Sequence, residues 1–458
     1  MNVSKKLSAI LVLVTLSAPL AACSGKAPRK VDHDTKSELL AGAFEVQTFT
    51  LGNGLRVLLV PDTTSPTFAY QTWFRVGSRD EQPGRTGLAH LFEHMMFKQT
   101  KSLKDGEFDR ILESAGAEGE NAFTSHDYTA YVQELPKASL DLIAKLEADR
   151  MVNLIVDEKA FKTETEVVQN ERRFRNENNP SGLMFQELFE LAYRKHPYRW
   201  PVIGYQKDLE AMSAADALEF YRSFYSPNHA TIIVSGDLNS ETLRAVLEKH
   251  YGSIPPQPVA LRQIEREPPQ LTPRRKLMNL NIQVEMLLMG FHIPEVTHED
   301  FAPLEVLSTI LAGGKSSRLN RTLVDTGIAA SVNTWAMENK DPSLFLVSVT
   351  MQDKMRAAQA ETVVLGEIER IAHEGVRDQE LETAKNKIQF SFLASLGSNS
   401  GRTRFLGHYE AIAGDFRAGL KLRDRTLAVT PAQVQAAAKR YLNARTRSVV
   451  VGLKRRQS

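Results

Sequence analysis

A proline-rich segment near the middle of the chain limits the folds that this sequence can adopt. Six prolines lie between residues 254 and 274, at positions 255, 256, 258, 268, 269 and 273. Proline fixes φ and removes a backbone donor, so neither a helix nor a central strand continues through such a segment. We therefore predict a linker at 254–274 that joins an N-terminal domain at 44–253 to a C-terminal domain at 275–458, each of ordinary domain size.

The two halves carry a similar segment near their ends. Residues 213–237 predict a capped helix followed by a buried strand and a glycine, and residues 430–453 predict the same elements in the same order. This repetition indicates two homologous halves. Chance is the alternative, because a helix followed by a strand is a common arrangement.

Elsewhere the first half mixes strands and helices without strict alternation. Alternating residues on both sides of the turn at 52–54 predict a β-hairpin over residues 44–60, and an apolar stretch predicts a third strand at 68–76. The remaining predicted elements are helices at 88–97, 106–115, 138–152 and 158–176, with one strand at 122–132. We therefore expect an α+β fold in which helices pack on a mixed sheet in each half.

Composition excludes several classes of protein. The single cysteine excludes an internal disulfide framework and any metal site that needs several cysteine ligands. Lys and Arg total 57 against 55 Asp and Glu, and removal of an N-terminal signal that contains Lys5 and Lys6 leaves 55 of each. This balance gives no electrostatic reason to expect nucleic acid as a partner or a polybasic membrane patch.

The N-terminal residues have the features of a targeting signal. Two lysines precede an apolar run at 7–20, about 14 residues, which is shorter than the roughly 20 residues of a membrane-spanning helix. Small residues then lead to Cys23, which resembles the lipidated residue of a bacterial lipoprotein, while an ordinary secretory signal is the alternative. Ser24 resembles signals for the outer membrane, so we expect a periplasmic, lipid-anchored protein. The expected segments are a signal peptide at 1–22 and a tether at 23–43.

One local motif carries chemistry: His90, Glu93 and His94 follow the pattern HxxEH in a predicted helix. Apolar residues at 88, 91, 92 and 95 form one face, which leaves both imidazoles on the opposite face. Histidines four residues apart lie one turn above each other and can bind one metal ion, while Glu93 lies beside them at the distance of a metal-bound water. Thr86 is the predicted N-cap. A solvated helical face with two incidental histidines is the alternative.

A catalytic zinc site needs a third protein ligand besides two histidines. The helix predicted at 158–176 and its end offer five carboxylates, at Glu158, Glu164, Glu166, Glu171 and Glu177. Spacing does not choose among them, although Glu164 and Glu171 share a helical face. Copper and nickel also bind paired imidazoles, but the neighbouring carboxylate and a hydrolytic role favour zinc.

HxxEH is the inverted counterpart of the HExxH zinc motif. On this motif the sequence resembles the pitrilysin/insulinase family of metallopeptidases, in particular its bacterial members of processing-peptidase size. The segments that carry the resemblance are LGNGLRV (51–57), GSRDE (77–81), GLAHLFEHMMF (87–97), NAFTS (121–125), YSPN (225–228) and GGKSSRL (313–319). Family members repeat one α+β module twice, so the resemblance also implies two homologous halves.

The resemblance implies a role for each residue of the metal site. His90 and His94 would bind zinc together with Glu171, which stands at the position of the family's distal glutamate. Glu93 would act as the general base in the hydrolysis of a peptide bond. Glu164 matches a second glutamate that assists catalysis in the family.

The resemblance also implies a place for the substrate. Asn121 and Ala122 match the family's edge strand, to which an extended peptide adds as one more strand. Backbone pairing of this kind depends little on side chains, which predicts a broad range of oligopeptide substrates. An ordinary strand beside a charged turn is the alternative.

The second half departs from the family pattern. Self-sufficient members carry an arginine and, about two helical turns later, a tyrosine that bind the substrate backbone. Here Val324 and Ala330 stand near those positions, and Arg318 or Arg321 would be displaced by about one turn. We therefore predict the zinc-bearing subunit of a two-chain endopeptidase, whose homologous partner lacks HxxEH but supplies the arginine and tyrosine. The alternatives are a non-catalytic scaffold and a periplasmic lipoprotein that binds peptides or metal.

Overall fold

A computed structural model of the protein describes residues 35–40, 44–258 and 262–455. The predicted signal peptide at 1–22 and the predicted lipidation site at Cys23 lie outside these residues. Within them, no helix combines the length and the apolar character that a membrane crossing requires.

The described residues form two mixed sheets with helices around them. The strands of the first sheet are β1 (Lys36–Leu40), β2 (Phe44–Thr50), β3 (Arg56–Pro61), β4 (Thr67–Phe74), β5 (Glu118–Thr124), β6 (Thr129–Pro136) and β7 (Ala230–Gly236). Those of the second sheet are β8 (Arg274–Leu280), β9 (Met286–Ile293), β10 (Ala329–Ala336), β11 (Ser343–Met351) and β12 (Arg447–Lys454). The helices of the first half are α1 (Leu88–Met95), α2 (Glu107–Ser114), α3 (Leu140–Asn153), α4 (Glu158–Arg172), α5 (Pro180–Ala192), α6 (Gln206–Ala211), α7 (Ala214–Phe224) and α8 (Ser240–Tyr251). Those of the second half are α9 (Phe301–Ala312), α10 (Ala357–Glu374), α11 (Asp378–Ser395), α12 (Asn399–Ala413), α13 (Ala418–Ala428) and α14 (Pro431–Tyr441).

The two sheets repeat one strand order. The first sheet has the order β1-β2-β3-β7-β4-β6-β5, and the second, read from its other edge, has the order β8-β12-β9-β11-β10. In each sheet the last strand of that half is an interior strand, parallel to one neighbour and antiparallel to the other. This equivalence confirms the prediction of an α+β fold with two homologous halves. β1 and β2 extend only the first sheet. The tether predicted at 23–43 is wrong for residues 36–40, because they form β1 and pair with β2.

Most predicted elements of the first half are confirmed. β2 and β3 pair as an antiparallel hairpin, and α1, α2, α3 and α4 begin within two residues of their predicted starts. α4 ends at Arg172, four residues before its predicted end, and continues as a π-helical turn at Arg173–Glu177.

The single strand predicted at 122–132 is wrong. This segment contains the end of β5, a turn, and the start of β6. The Ser125 hydroxyl accepts hydrogen bonds from the backbone N–H groups of Asp127 and Tyr128, at 3.0 and 3.2 Å. A serine hydroxyl that bonds the backbone in this way stabilises a turn, which an apolar pattern does not reveal.

One helix from each half packs on the sheet of the other half. α12 of the second half packs on the first sheet through Leu406 and Ala411, in a cluster with Trp73 and Ile233. In the same way, α5 of the first half packs on the second sheet through Leu188 and its neighbours. Both sheets are therefore covered on one face by their own helices and on the other face by a helix from the opposite half.

Candidate metal centre

Helix α1, which carries the HxxEH motif, is held at its N-terminus by a buried carboxylate. Its N-cap is Gly87, with a φ of 98°, which makes no side-chain cap. Instead, Glu81 accepts hydrogen bonds from the backbone N–H groups of Gly87 and Ala89, at 2.9 and 2.8 Å. The prediction of Thr86 as the N-cap is wrong, because its hydroxyl donates to Asp208 at 2.6 Å.

The side chains of the motif converge with a glutamate from α4. The candidate ligand atoms of His90, Glu93 and His94 lie within 4.8 Å of one another. Glu171 Oε2 lies 3.1 Å from His94 Nε2 and 3.7 Å from His90 Nε2. Two ligands at about 2.1 Å from one tetrahedral ion lie roughly 3.4 Å apart. The distances therefore suit an ion shared by His90, His94 and Glu171.

Burial and charge favour a neutral His90 and an ionised Glu171, the forms in which these side chains bind metal. Burial, together with nearby His94, lowers the pKa of His90 to about 4, so its imidazole is neutral at physiological pH. Burial opposes ionisation of Glu171, but the hydrogen bond from His94 and the neighbouring positive charges outweigh it and lower the pKa of this carboxyl. Within the described residues, His90 Nδ1 is buried without a hydrogen-bond partner. A neutral imidazole and a carboxylate are the donors that a divalent cation requires.

Glu164 lies behind His94 and does not join this set. Its Oε1 is 3.0 Å from His94 Nδ1, and its Oε2 is 2.9 Å from the Lys98 ammonium. Burial lowers the pKa of His94, but the carboxylates of Glu164 and Glu171 outweigh this effect and raise the pKa to about 9. The two carboxylates thus favour positive charge at this point, supplied either by a proton on His94 or by a cation at its Nε2. A carboxylate on the far ring nitrogen also fixes the orientation of the imidazole.

Glu93 lies between the histidines and the edge of the first sheet. The Thr124 hydroxyl, at the end of β5, donates to Glu93 Oε2 at 2.6 Å. Burial raises the pKa of the Glu93 carboxyl and the bond from Thr124 opposes this effect, with a net rise. β5 stands at the edge of the sheet and pairs only with β6 among the described strands. It carries Asn121, which is exposed, and Ala122, which is buried.

A cavity of about 620 Å³ opens beside these groups. Glu93, His90, Asn121 and Ala122 all line it. Its remaining lining residues are Phe123, Thr124, His126, Arg175, Asn176, Gly182, Phe185, Gln186, Phe189, Trp200, Pro201, Val202 and Ile203. The structure therefore brings the predicted substrate-binding residues to the same opening as the metal motif.

Comparison with known proteins decides the family. The family described as insulinase (peptidase family M16) matches residues 56–205, and the one described as peptidase M16 inactive domain matches residues 211–388. A zinc protease of Helicobacter pylori, PqqE, is 32% identical over 364 residues, which cover 77% of this chain and 81% of that protein. The chain belongs to the M16 peptidase family.

Other M16 relatives agree in fold and in name. A protein of Bacillus subtilis named uncharacterized zinc protease YmxG is 27% identical over 372 residues, covering 81% of this chain and 89% of that protein. A solved protease from Helicobacter pylori superposes with a TM-score of 0.84 at 30% identity, covering 91% of this chain and 99% of that chain. An M16 inactive domain from Pseudomonas fluorescens, at 20% identity and a TM-score of 0.80, shares the fold.

The second half does not bring an arginine or a tyrosine to this M16 centre from the predicted positions. Val324 packs against the core of the second half, and Ala330 is exposed on β10. The Arg318 guanidinium is engaged within the second half, because it pairs with Glu380 at 2.9 Å and donates to the carbonyl of residue 375. Arg321 lines cavities in the second half that share no lining residue with the cavity at His90.

Four residues that support the centre escaped the sequence analysis. Arg175 pairs with Glu171 Oε1 at 2.9 Å, and its spacing of four residues on one helix is a signal that could have revealed it. Glu81 and Thr124 lie in the segments GSRDE and NAFTS, but no role was predicted for either. Both residues and Lys98 reach the centre through tertiary contacts, which local spacing does not show.

Proposed function

We propose that this protein is a zinc-dependent endopeptidase that hydrolyses extended oligopeptides. The observation that carries the proposal is the convergence of His90, His94 and Glu171 on one point beside Glu93. His90, His94 and Glu171 would hold the ion, and Glu93 would remain free for proton transfer. The name zinc protease, borne by the relatives from Helicobacter pylori and Bacillus subtilis, supports Zn²⁺ as the metal.

The metal and the chain's own groups would divide the chemistry between them. Zn²⁺, when bound, lowers the pKa of a water molecule and polarises a carbonyl group. Glu93 accepts the proton of the attacking water and returns it to the leaving amine. The Thr124 hydroxyl holds the Glu93 carboxylate in place through Oε2, which leaves Oε1 for the proton. Glu164, supported by Lys98, keeps the His94 ring oriented, so its role in this proposal is positioning.

The free edge of β5 supports a peptide substrate in extended form. Asn121 and Ala122 lie on this edge strand. Ala122 stands two residues before Thr124, whose hydroxyl bonds Glu93. A peptide that adds to β5 as a further strand would pass along the metal centre, and its side chains would enter the cavity. Backbone pairing would give affinity without a strict sequence requirement.

We further propose that the active form contains a second, homologous subunit. Neither Val324 nor Ala330 supplies the arginine and tyrosine that the family resemblance implies, and Arg318 is already paired with Glu380. A partner that lacks HxxEH but carries these two residues would complete the substrate site. The chain alone should then bind zinc but cleave peptides slowly, and the partner should restore the rate. Full activity of the isolated chain would exclude this assembly.

The sequence of the N-terminal residues supports a location, which we also propose. A lipid on Cys23 would anchor the protein at the periplasmic side of the outer membrane. Cys23→Ser should then release the protein from the membrane fraction, and an unchanged membrane fraction would contradict the anchor.

Cleavage of a quenched fluorescent peptide tests the peptidase activity directly. Zinc-loaded protein, with and without the partner, should release fluorescence, and a chelator should stop it. Glu93→Gln keeps all three proposed ligands, so it should retain zinc by elemental analysis and lose turnover. Substantial activity in the zinc-loaded variant would contradict the base. Stoichiometric binding of peptide without cleavage would favour a binding protein, and absence of both would favour a scaffold.

A further inference from the structure

The cavity beside the metal centre contains a polar side chain that the proposed chemistry does not use. His126 lies in the turn between β5 and β6, two residues after Thr124, and lines the same cavity as His90 and Glu93. It belongs neither to the HxxEH motif nor to the residues Glu164 and Lys98 that support His94.

The His126 ring is held by aromatic neighbours alone. It stacks on Phe189 with a ring-centroid distance of 5.6 Å and an interplanar angle of 13°, and it meets the Tyr198 ring edge-on at 5.0 Å. Among the hydrogen bonds of the described residues, none involves a ring nitrogen of His126. Nearby His196 differs, because its Nε2 lies 3.0 Å from Asp341 and its Nδ1 accepts the backbone N–H of Tyr198 at 3.1 Å.

This isolation gives His126 unused hydrogen-bonding capacity. Burial, which outweighs the nearby charge of Asp127, lowers the pKa of His126 to about 4, so the ring is neutral. A neutral imidazole offers one N–H donor and one acceptor nitrogen. The His126 side chain is half-buried, so its ring nitrogens are open to whatever fills the cavity, either solvent or a polar group of the substrate.

The rest of the wall combines apolar side chains with the polar side chains of Asn121, Thr124, Arg175, Asn176 and Gln186. Its apolar side chains are Phe123, Phe185, Phe189, Trp200, Val202 and Ile203. Such apolar side chains favour a bulky aromatic side chain, and a polar group that stacks among them fixes the orientation of a polar tip. The volume of about 620 Å³ is ample for one aromatic ring.

We propose that His126 selects the substrate side chain that enters this cavity, favouring tyrosine over phenylalanine at a position flanking the cleaved bond. The inference rests on the proposed peptidase function, and it names the substrate class of that same site. The phenol hydroxyl of the substrate would bond the imidazole, while its ring would lie against the aromatic wall. A phenylalanine would fill the same space but leave the imidazole without a partner.

The expected discrimination follows from the energy of one hydrogen bond. A neutral hydrogen bond in a protein, compared with its absence, changes affinity by about fivefold, and more when a buried group is left unpaired. A site built to bond a hydroxyl therefore rejects the analogue that lacks it more strongly than a purely apolar pocket does. We expect tyrosine peptides to bind roughly 5- to 10-fold more tightly than matched phenylalanine peptides.

A binding assay on a non-cleaving form separates this inference from the proposed function. The probes are pairs of fluorescein-labelled peptides that differ only by tyrosine or phenylalanine at either position flanking the bond. Their dissociation constants are measured by fluorescence anisotropy on zinc-loaded Glu93→Gln protein. In that background, His126→Phe keeps an aromatic ring but removes both ring nitrogens, so the ratio of the two constants should fall to near one.

Two further variants control for folding and for general loss of affinity. His126→Asn keeps a donor and an acceptor and should retain part of the preference for tyrosine. Phe185→Leu removes part of the wall and should weaken both peptides while keeping their ratio. Thermal unfolding of each variant checks that it folds.

Each outcome bears on one proposal or on both. A ratio near one in the Glu93→Gln protein, or a preference for tyrosine that survives His126→Phe, would overturn the role of His126. A preserved ratio, combined with native protein that cleaves neither peptide even when the homologous partner is present, would contradict the peptidase and support the subsite. Failure of both peptides to bind, with and without that partner, would contradict both proposals.

Discussion

Glu164 shows how a residue outside the ligand set can control metal affinity. It contacts His94 Nδ1 at 3.0 Å and thereby directs Nε2 towards Glu171. Loss of such a carboxylate typically costs 10- to 100-fold in metal affinity. We therefore expect Glu164→Gln to bind zinc about 10-fold or more weakly, as measured by competition with a chromophoric chelator. Glu166→Gln, on the exposed side of the same helix, should bind zinc as the native chain does. Equal affinities for the two variants would contradict the positioning role.

Glu305 makes the stability of the second half depend on pH. Burial and the nearby Glu338 raise its pKa to about 7, although a hydrogen bond from Thr426 acts to lower it. An ordinary glutamate titrates near 4.5, so between these two values the folded state holds the proton more tightly. This group therefore stabilises the folded state fully below pH 4.5, and the contribution is lost as the pH rises through 7.

Glu305→Gln should remove that dependence. Between pH 5 and pH 8, the native free energy of unfolding should fall by about 2 kcal/mol more than that of the variant, as measured by urea unfolding. Glu299→Gln makes the same change of charge at an exposed site and should follow the native protein. Parallel pH profiles for Glu305→Gln and the native chain would refute the assignment.

At the scale of single residues, local spacing predicted the two histidine ligands and Glu93, but it did not predict the residues that hold them in place. His90, Glu93 and His94 stand on one helix, so their convergence follows from helical geometry. The choice of Glu171 among five carboxylates came from the family resemblance, and the structure brings it to the histidines. Lys98 and Glu81 act across the fold, and their partners are set by packing that no short window of sequence contains.

At the scale of elements, a buried ion pair between Glu147 and Arg150 connects helix α3 to the first sheet. Arg150 and Glu147 are each about 1% exposed. Glu147 accepts hydrogen bonds from Thr72 at 3.0 Å and Gln133 at 2.9 Å, and the Arg150 guanidinium lies 4.4 Å from the centre of the Tyr131 ring. The pair thus joins α3 to β4 and β6. The sequence predicts a helix at 138–152 but does not reveal this ion pair.

Removal of one partner of this pair should destabilise the protein strongly. Arg150→Met leaves the Glu147 carboxylate buried without its counter-ion, which typically costs about 3–5 kcal/mol. The double variant Glu147→Gln with Arg150→Met should recover part of that loss, because no charge is then stranded. Lys145→Met, on the exposed face of the same helix, is the control. Denaturant unfolding gives all four values, and a small effect of Arg150→Met would contradict the buried network.

Prediction of elements succeeded where periodicity was long and failed at the turn at 125–128. Helices α1 to α4 followed from apolar spacing, whereas the single strand predicted at 122–132 runs across four consecutive polar residues, 124–127, at the turn that the Ser125 hydroxyl stabilises. The error matters for function, because the missed turn carries His126. A pattern of apolar residues reports burial, and both sides of this turn are partly buried.

At the scale of the whole molecule, the exchange of α5 and α12 makes each half part of the other's core. The sequence indicated two related halves but gave no sign of this exchange, because the contacts join residues that are far apart in the chain. Leu406 and Ala411 cluster with Trp73, and Leu188 clusters with Leu344. We therefore expect the two halves to unfold together rather than one after the other.

Gly407 offers a test of this shared core. It lies within α12, and a Cβ at this position would stand 2.1 Å from the buried Trp73 ring of the first sheet. Gly407→Ala should therefore separate α12 from that sheet and lower the free energy of unfolding by about 1–3 kcal/mol, despite the gain in helix propensity. Gly366, in the exposed part of α10, has no neighbour within 4 Å of such a Cβ. Gly366→Ala should instead stabilise the protein by about 0.5–1 kcal/mol, since only the propensity changes. Urea unfolding followed by tryptophan fluorescence measures both, and equal effects of the two substitutions would mean that α12 does not press on Trp73.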